Sequence, residues 1–328
     1  MNFLILGGTQ FVGRHIVNAA LERGHHITLF SRGIKENPFP HLEHLTGDRG
    51  GDLSALENRN FDALVDVSGY TPSQLERSCT ALQVRAKRYL FISTISVYAD
   101  PLLEGPEETS AVRTLEPDNK PDAEEVTPET YGALKALAEN IVLEHFGERA
   151  TVVRPHFVVG TYDHTDRFTS WISKFARGGE VLLGGSKQTP CQFIDARDLA
   201  GLTLHLLENN LSGTFNAARD PILWNDVLEG ISVLTGNRVQ PIEPDPDWLE
   251  TQQLESSAFP MWVPAPSSEA GFARVKNERS RATGFVYRSL EDTLFHMLEW
   301  DRVRGGDLKA GLTFEREAEL IREWKARA

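Results

Sequence analysis

The sequence is poor in cysteine, in basic residues and in long apolar runs, and each shortage excludes a class of protein. Only 2 of the 328 residues are cysteines, and they lack metal-ligand spacing, so we expect buried thiols in a reducing compartment. The formal net charge of -13 opposes nucleic-acid binding, because nonspecific affinity for a polyanion comes mainly from lysine and arginine. No apolar run approaches the roughly 18 residues of a membrane span, and the first residues lack the pattern of a secretion signal. We therefore expect a cytoplasmic protein without membrane or nucleic-acid partners.

Metal chemistry is not predicted either. The 10 histidines form no cluster with cysteine or carboxylate residues at ligand spacing. An apolar fraction of 40% over this length favours one large α/β domain with a smaller appended lobe.

The first residues form an apolar run that ends in glycines. Phe3 to Leu6 are typical of a strand buried on both faces, and apolar residues recur at helical spacing after Gly7-Gly8. A glycine turn at a helix N-terminus directs free backbone N–H groups and the helix dipole at one point, where a diphosphate binds. The residues predicted to contact a dinucleotide here are Gly7, Thr9, Gln10, Phe11 and Val12.

Gln10 is the irregular residue of this turn. It stands where the pattern G-x-G-x-x-G has its middle glycine, which normally lets the backbone approach the pyrophosphate. Its side chain would either hydrogen-bond the phosphate or crowd it. A buried turn that binds nothing is the alternative interpretation of the stretch.

Apolar runs and helical patterns alternate through the first two thirds of the chain. Further strands are predicted at residues 27–30, 42–45, 61–67, 89–92, 152–153 and 214–216. This order specifies a doubly wound parallel sheet with its ligand at the carboxyl ends of the strands.

The residues after these strands predict the rest of the cofactor site. Ser31 and Arg32 follow the second strand, where a guanidinium without a carboxylate favours NADP over NAD. A solvated surface arginine is the alternative. Asp48, after the third strand, could reach the adenine amino group, and the small residues Ser68 and Gly69 follow the fourth strand, where a cofactor would pass close to the backbone.

The pattern stops between residues 99 and 130. This span carries ten acidic and two basic residues, a net charge of -8 within the chain's -13. A loop this long in a compact domain is usually a functional lid or a disordered segment. A mobile lid is favoured, and a solvated insertion is the alternative.

Tyr131 and Lys135 are the strongest catalytic candidates. They lie four residues apart on a helix that begins at Thr127-Pro128, so both side chains are on one face. A phenol is a poor proton carrier at neutral pH unless a cation stabilises its phenolate, and we expect Lys135, helped by a positively charged nicotinamide, to do so for Tyr131. Ser93 or Thr94, at the end of the fifth strand, supplies a hydroxyl for the substrate oxygen.

Taken together, these stretches resemble the extended short-chain dehydrogenases/reductases of the NAD-dependent epimerase/dehydratase type. The motifs that carry the resemblance are residues 6–13, residues 93–98, Tyr131 with Lys135, Val153-Arg154-Pro155 and residues 193–200. The resemblance implies that Thr94 takes the place of the catalytic Ser/Thr, that Tyr131 is the acid/base and that Lys135 holds the nicotinamide ribose. It also implies that Ser93 and Pro155 contact the cofactor.

Two departures from the family pattern narrow the reaction. Ile95-Ser96 stand where sugar-nucleotide dehydratases have an Asp-Glu pair, which argues against dehydration. Phe157 stands where nucleotide-sugar members usually have an Asn that contacts the diphosphate, which disfavours such a substrate. His156 and Arg167 are candidates to face the substrate.

The sequence thus predicts a Rossmann-like dinucleotide-binding domain over residues 1–175, which also receives residues 190–218. Residues 219–328 are predicted to form mainly a smaller substrate-binding lobe. The predicted function is an NAD(P)-dependent epimerase or reductase that acts on a carbinol or keto carbon of a small or sugar-like substrate. The alternative is a dinucleotide-binding or RNA-binding protein that kept the fold without turnover. A homodimer is left open.

Overall fold

A computed structural model describes residues 1–100, 102, 105–115, 125–255, 257–263 and 270–327. The strands are β1 (Asn2–Leu6), β2 (His26–Ser31), β3 (Glu43–Thr46), β4 (Ala63–Asp66), β5 (Tyr89–Ile92), β6 (Ala150–Pro155), β7 (Val158–Val159), β8 (Gly179–Leu182), β9 (Pro190–Cys191), β10 (Ile194–Asp195), β11 (Gly213–Ala217), β12 (Ile222–Leu223) and β13 (Val239–Ile242). The α-helices are α1 (Phe11–Glu22), α2 (Pro72–Leu82), α3 (Pro128–Phe146), α4 (Thr169–Arg177), α5 (Ala196–Glu208), α6 (Trp224–Thr235), α7 (Pro246–Thr251), α8 (Glu278–Ala282), α9 (Leu290–Arg304) and α10 (Phe314–Lys325).

Seven strands form one parallel sheet in the order β11-β6-β5-β4-β1-β2-β3. The order in which strands are added to the sheet reverses at β1. The chain places β2 and β3 on one side of β1 and then β4, β5 and β6 on the other side. In doubly wound sheets, ligands bind beyond the carboxyl ends of the strands at such a switch point. The predicted doubly wound α/β fold is confirmed, and we call the groove above β1, β4 and β5 the switch crevice.

The apolar runs form strands because both faces of the sheet are covered. All residues of β4, β5 and β6 are buried, as are Phe3 to Leu6 of β1. The helices α1 and α5 pack together on one face, and α2 and α3 pack together on the other. The predicted pattern of continuous apolar strands with amphipathic helices between them follows from this arrangement.

The second half contains more regular structure than its sequence pattern predicted. The helix α6 buries Trp224, Val227, Leu228 and Ile231, which have helical spacing that could have been recognised. Its aromatic neighbours form a second core, in which the rings of Trp224 and Trp262 stack with centroids 4.8 Å apart. This core joins α4, α6 and α9 beside the sheet.

Two further observations concern the whole chain. Cys79 and Cys191 are both buried and form no disulfide bond. Burial raises the pKa of the Cys79 thiol to about 12. Within the described ranges, none of the helices combines the length and apolarity needed to cross a bilayer.

Candidate active site

The glycine turn between β1 and α1 brings backbone donors to the switch crevice. Gly7 has a φ of +91°, which favours glycine, and a Cβ placed on Gly13 would lie 2.2 Å from the Gly7 carbonyl oxygen. The first N–H of α1 with a partner in the described structure is that of Arg14, which donates to Gln10. The N–H groups of residues 11–13 therefore face the crevice end of the helix without a protein acceptor. Such a cradle fits a diphosphate.

The non-glycine residue at position 10 does not distort this turn. Gln10 has φ -125° and ψ 154°, an extended conformation that any residue adopts. Its side chain is exposed and makes no capping hydrogen bond to the helix. A glycine is therefore not required at this position on conformational grounds.

The end of β2 carries a free guanidinium. Arg32 is exposed and makes no hydrogen bond or ion pair within the described part of the chain. Its neighbour Ser31 has its hydroxyl 2.8 Å from Nε2 of His44. The carboxylate of Asp48, also exposed, accepts a hydrogen bond from the Gly50 N–H at 2.9 Å.

A buried ion pair that the sequence analysis missed fixes the loop after β4. Arg49 donates to both carboxylate oxygens of the fully buried Asp66 at 2.6 Å, and the hydroxyl of Tyr89 donates to the same carboxylate. Burial opposes ionisation of Asp66, but Arg49 and Tyr89 outweigh it and hold the pKa of Asp66 below its usual value. The carboxylate also accepts the N–H of Ser68, which lies against Gly7. The pair therefore sets the wall of the crevice between β1 and β4.

Lys135 lies deep in this crevice. Its ammonium donates to the carbonyl oxygens of Gly69 at 2.8 Å and Ile92 at 2.7 Å, at the carboxyl ends of β4 and β5. Burial lowers the pKa of Lys135 to about 7, although Asp66 and Glu139 oppose the shift.

The expected effect of Lys135 on Tyr131 is not found among the contacts of the protein itself. The pKa of Tyr131 is raised, because burial and the nearby Tyr70 outweigh a hydrogen bond with Thr94 and the charge of Arg167. Neither of the two hydrogen bonds of Lys135 goes to Tyr131. Within the protein the Lys135 ammonium is directed at backbone carbonyls, and the effect of Lys135 together with a nicotinamide on this phenol stays a prediction.

Thr94 and Tyr131 meet in one cavity of about 440 Å³ at the edge of the crevice. We call it the side pocket. The helix α3 approaches closely because Gly132 has no side chain, and a Cβ there would lie 2.2 Å from the carbonyl oxygen of Ser96. The same contact brings Tyr131 to the turn that follows Thr94. Sequence analysis missed Gly132, since nothing local distinguishes it from a weak helix residue.

Ser93 also lines the side pocket, but its hydroxyl is already hydrogen-bonded. Its hydroxyl donates to Glu139 at 2.5 Å, and Glu139 accepts two hydrogen bonds from Arg154, at 2.6 and 3.0 Å. The ion pair is buried, so the Ser93 hydroxyl is committed to the protein interior. The Thr94 hydroxyl donates to the Ser96 hydroxyl at 3.2 Å, and its proximity to Tyr131 opposes the rise in the pKa of that phenol.

The two candidate substrate residues differ. His156 has both ring nitrogens occupied, with Nε2 2.6 Å from the Phe272 carbonyl oxygen and Nδ1 accepting the Phe157 N–H at 2.7 Å. Burial lowers its pKa to about 4, so it lines the side pocket as a neutral packing residue. Arg167 lines the same pocket with its guanidinium 5.4 Å from the ring centroid of Phe157. Pro155 contributes to the pocket wall.

Part of the acidic loop is anchored to the sheet. The Arg113 N–H donates to Val97 at 2.7 Å, and the Glu108 carboxylate accepts the N–H of Asn216 at 2.8 Å. Arg154 donates to the Glu108 carbonyl oxygen at 3.1 Å. Residues 105–115 therefore contact β11 and the turn after β5, and the mobility predicted for this loop stays a prediction. Residues 101, 103–104 and 116–124 of that prediction lie outside the described residues.

Comparison with known proteins agrees with the resemblance found in the motifs. Residues 74–218 match the model of the NAD dependent epimerase/dehydratase family, in agreement with the resemblance over that segment. This segment contains Thr94, Tyr131 and Lys135 but begins after the glycine turn.

A curated relative is the chloroplast stem-loop binding protein of 41 kDa b from Arabidopsis thaliana. It is 25% identical over 259 residues, which is 73% of this chain but only 64% of the relative's length. Two solved structures share the fold. UDP-glucose 4-epimerase from Thermotoga maritima has a TM-score of 0.66 at 16% identity, over 92% of this chain and 99% of that one. UDP-glucuronic acid 4-epimerase from Bacillus cereus, in complex with NAD, has a TM-score of 0.64 at 16% identity, over 94% and 100%.

Proposed function

We propose that this chain, whose residues 74–218 match the NAD dependent epimerase/dehydratase family, is an NAD(P)-dependent epimerase or reductase. Its substrate would be a small or sugar-like molecule that reacts at a carbinol or keto carbon. The observation that carries the proposal is the meeting of Thr94 and Tyr131 in the side pocket, beside the crevice that holds the free N–H groups of residues 11–13.

The residues present fit a dinucleotide. The N–H groups at the start of α1 would hold the diphosphate, Ser68 and Gly69 would contact the cofactor, and Lys135 would hold the nicotinamide ribose. Arg32, exposed and without a carboxylate partner among the described residues, supports binding of the 2′-phosphate of NADP. When bound, the nicotinamide accepts or supplies the hydride of the reaction.

Tyr131 would exchange the proton at the substrate oxygen. Because the pKa of this phenol is raised, Tyr131 is protonated at neutral pH and is ready to donate a proton to a carbonyl oxygen. Thr94 would hold the same oxygen by its hydroxyl. The reverse step, removal of a proton from a carbinol, requires a cation near the phenolate, and Lys135 is the buried candidate.

The side pocket also supports the predicted division of the chain. Val263 and Phe272, from the second half, line it together with Thr94 and Tyr131 from the first half. We therefore propose that residues 219–328 form mainly a substrate-binding lobe over the dinucleotide-binding part.

Cofactor binding is the first test. Fluorescence titration with NADPH and NADH should give saturable binding, with NADPH at least about tenfold tighter, since a lost charge-assisted contact costs roughly 1.5–3 kcal/mol. The Arg32→Gln variant should lose this preference, whereas Arg77→Gln, at another exposed arginine, should keep it. Equal affinities in the wild type would remove the NADP proposal, and absence of binding to either cofactor would remove the enzymatic one.

A second candidate function follows from the curated relative. That protein's name states that it binds a stem-loop, which favours an RNA-binding role here. The net charge of -13 opposes this role. A gel-shift titration with a stem-loop RNA should give no complex at physiological salt. A salt-dependent complex, together with absent dinucleotide binding, would reverse the order of the two proposals.

A further inference from the structure

The side pocket has an unusual charge for this protein. Among its lining residues in the described part of the chain are two arginines, Arg113 and Arg167, and no aspartate or glutamate. The chain as a whole carries 47 acidic against 34 basic residues. The charged side chains of the pocket are therefore positive, although the molecule as a whole is negatively charged.

Each of the two guanidinium groups uses only its Nε in a hydrogen bond to the described residues. Nε of Arg113 donates to the Tyr98 carbonyl oxygen at 3.1 Å, and Nε of Arg167 donates to the Thr165 hydroxyl at 3.2 Å. Neither arginine forms an ion pair within the described residues. The terminal nitrogens, which are the ones that bind oxyanions in a bidentate way, have no protein partner there.

The buried arginines of the same region provide the contrast. Arg49 and Arg154 each donate two hydrogen bonds to a carboxylate, Asp66 and Glu139 respectively. The fold thus neutralises the arginines beneath the crevice, whereas the two that line the pocket have no carboxylate partner among the described residues. An arginine without a carboxylate at a concave site is suited to an anionic ligand.

We infer that Arg113 and Arg167 bind an oxyanion group of the substrate, so that the substrate is a sugar acid or sugar phosphate rather than a neutral sugar. This inference rests on the proposed function, because the anion is placed by sharing a cavity with Thr94 and Tyr131. The guanidinium of Arg167 stacks near Phe157, which limits its orientation. Phe157 replaces the amide that the family pattern provides, and the two arginines supply the polar contacts from other parts of the pocket.

The test compares matched sugars by titration calorimetry with the full-length protein. Glucuronate and glucose 6-phosphate present a carboxylate and a phosphate, and glucose presents neither. At least one anionic sugar should bind at least about tenfold more tightly than glucose, with dissociation constants in the millimolar range or below. Which of the two binds better identifies the oxyanion as carboxylate or phosphate.

Variants tie this preference to the two residues. Arg113→Gln and Arg167→Gln should each weaken binding of the anionic sugar about tenfold, and the double variant should bind it no better than glucose. Arg113→Lys should restore part of the affinity because it keeps the charge, and Arg77→Gln is the control for a change of net charge. Unaltered affinity in the double variant, or equal affinity of the wild type for charged and neutral sugars, would overturn the inference.

Titration of NADPH and NADH into the same variants separates the two proposals. Cofactor affinity should not change, since both arginines lie outside the glycine turn. An absent anion preference with intact cofactor binding would remove only the present inference. An absence of cofactor binding in the wild type would remove the proposed function itself.

Discussion

The crevice presents backbone groups at the glycine turn and side chains at the side pocket. The side at the glycine turn offers backbone groups, namely the N–H groups of residues 11–13, from a single short stretch of chain. The side pocket offers side chains, those of Thr94, Arg113, Tyr131 and Arg167, from four separate stretches. Backbone groups suit a ligand part that is always the same, such as a diphosphate, whereas side chains can differ from protein to protein and select a substrate.

The two sides also depend on glycine in the same way. Gly13 allows α1 to touch the turn that precedes it, and Gly132 allows α3 to touch the turn after β5. In each case a missing side chain fixes the distance between a helix and the carboxyl end of a strand. Adding one methyl group at either position therefore damages one side of the crevice and leaves the other intact.

The largest effect is expected for Gly13→Ala. The added Cβ would lie 2.2 Å from the Gly7 carbonyl oxygen and 2.9 Å from the Gly8 Cα, both of them backbone atoms that cannot rotate away. We expect affinity for NADPH and NADH to fall about 100-fold, since overpacking typically costs 1–3 kcal/mol. Fluorescence titration measures this, with Gly51→Ala as the control, because a Cβ there has nothing nearer than 3.9 Å. Wild-type affinity in Gly13→Ala would show that the turn is not the cofactor site.

For Gly132→Ala we expect a smaller effect, which falls on kcat and not on cofactor affinity. The new Cβ would lie 2.2 Å from the Ser96 carbonyl oxygen and would push Tyr131 away from Thr94. We expect kcat to fall about tenfold or more, because a small misplacement of a catalytic group is costly. Cofactor affinity should stay within about twofold, since the turn at residues 7–13 is untouched. A variant that loses cofactor affinity as much as kcat would contradict the independence of the two sides.

The smallest effect is expected where the two sides meet, at Lys135. Its pKa is about 7 in the folded protein and 10.5 ordinarily. Between these values the unfolded chain binds more protons, so the cost of burying the charged amine decreases as pH rises. From pH 7 to pH 9 the wild type should gain roughly 2 kcal/mol of unfolding free energy relative to Lys135→Met. Urea unfolding at both pH values measures this, with the exposed Lys35→Met as the control, and a pH-independent difference would contradict the shifted pKa.

The same comparison explains what could be predicted from the sequence. The glycine turn lies within residues 7–13, so its pattern is visible locally, and the strands are recognisable because both faces of the sheet are covered. The candidate pair Thr94 and Tyr131 was predicted from a strand end and a helix start. These features depend on neighbours in sequence.

The missed features depend on neighbours in space. Arg49 follows β3 and Asp66 ends β4, and β1 and β2 lie between these two strands in the sheet, so the sequence order does not reveal the pairing. Arg113 belongs to a stretch whose composition indicated an acidic lid or a solvated insertion, and no ligand-binding residue was predicted there. The hydrogen bonds of the Lys135 ammonium to the carbonyls of Gly69 and Ile92 were also missed, because both acceptors lie far from Lys135 in the sequence, one after β4 and one in β5.

The central claim is that Tyr131 moves the proton while the cofactor is held elsewhere. It is tested most directly by measuring turnover and NADPH affinity together in Tyr131→Phe, with an anionic sugar that the wild type converts. The account predicts that turnover falls by about 10²–10⁴ while the affinity for NADPH stays within a few-fold of the wild type. Turnover at the wild-type rate in Tyr131→Phe would contradict it.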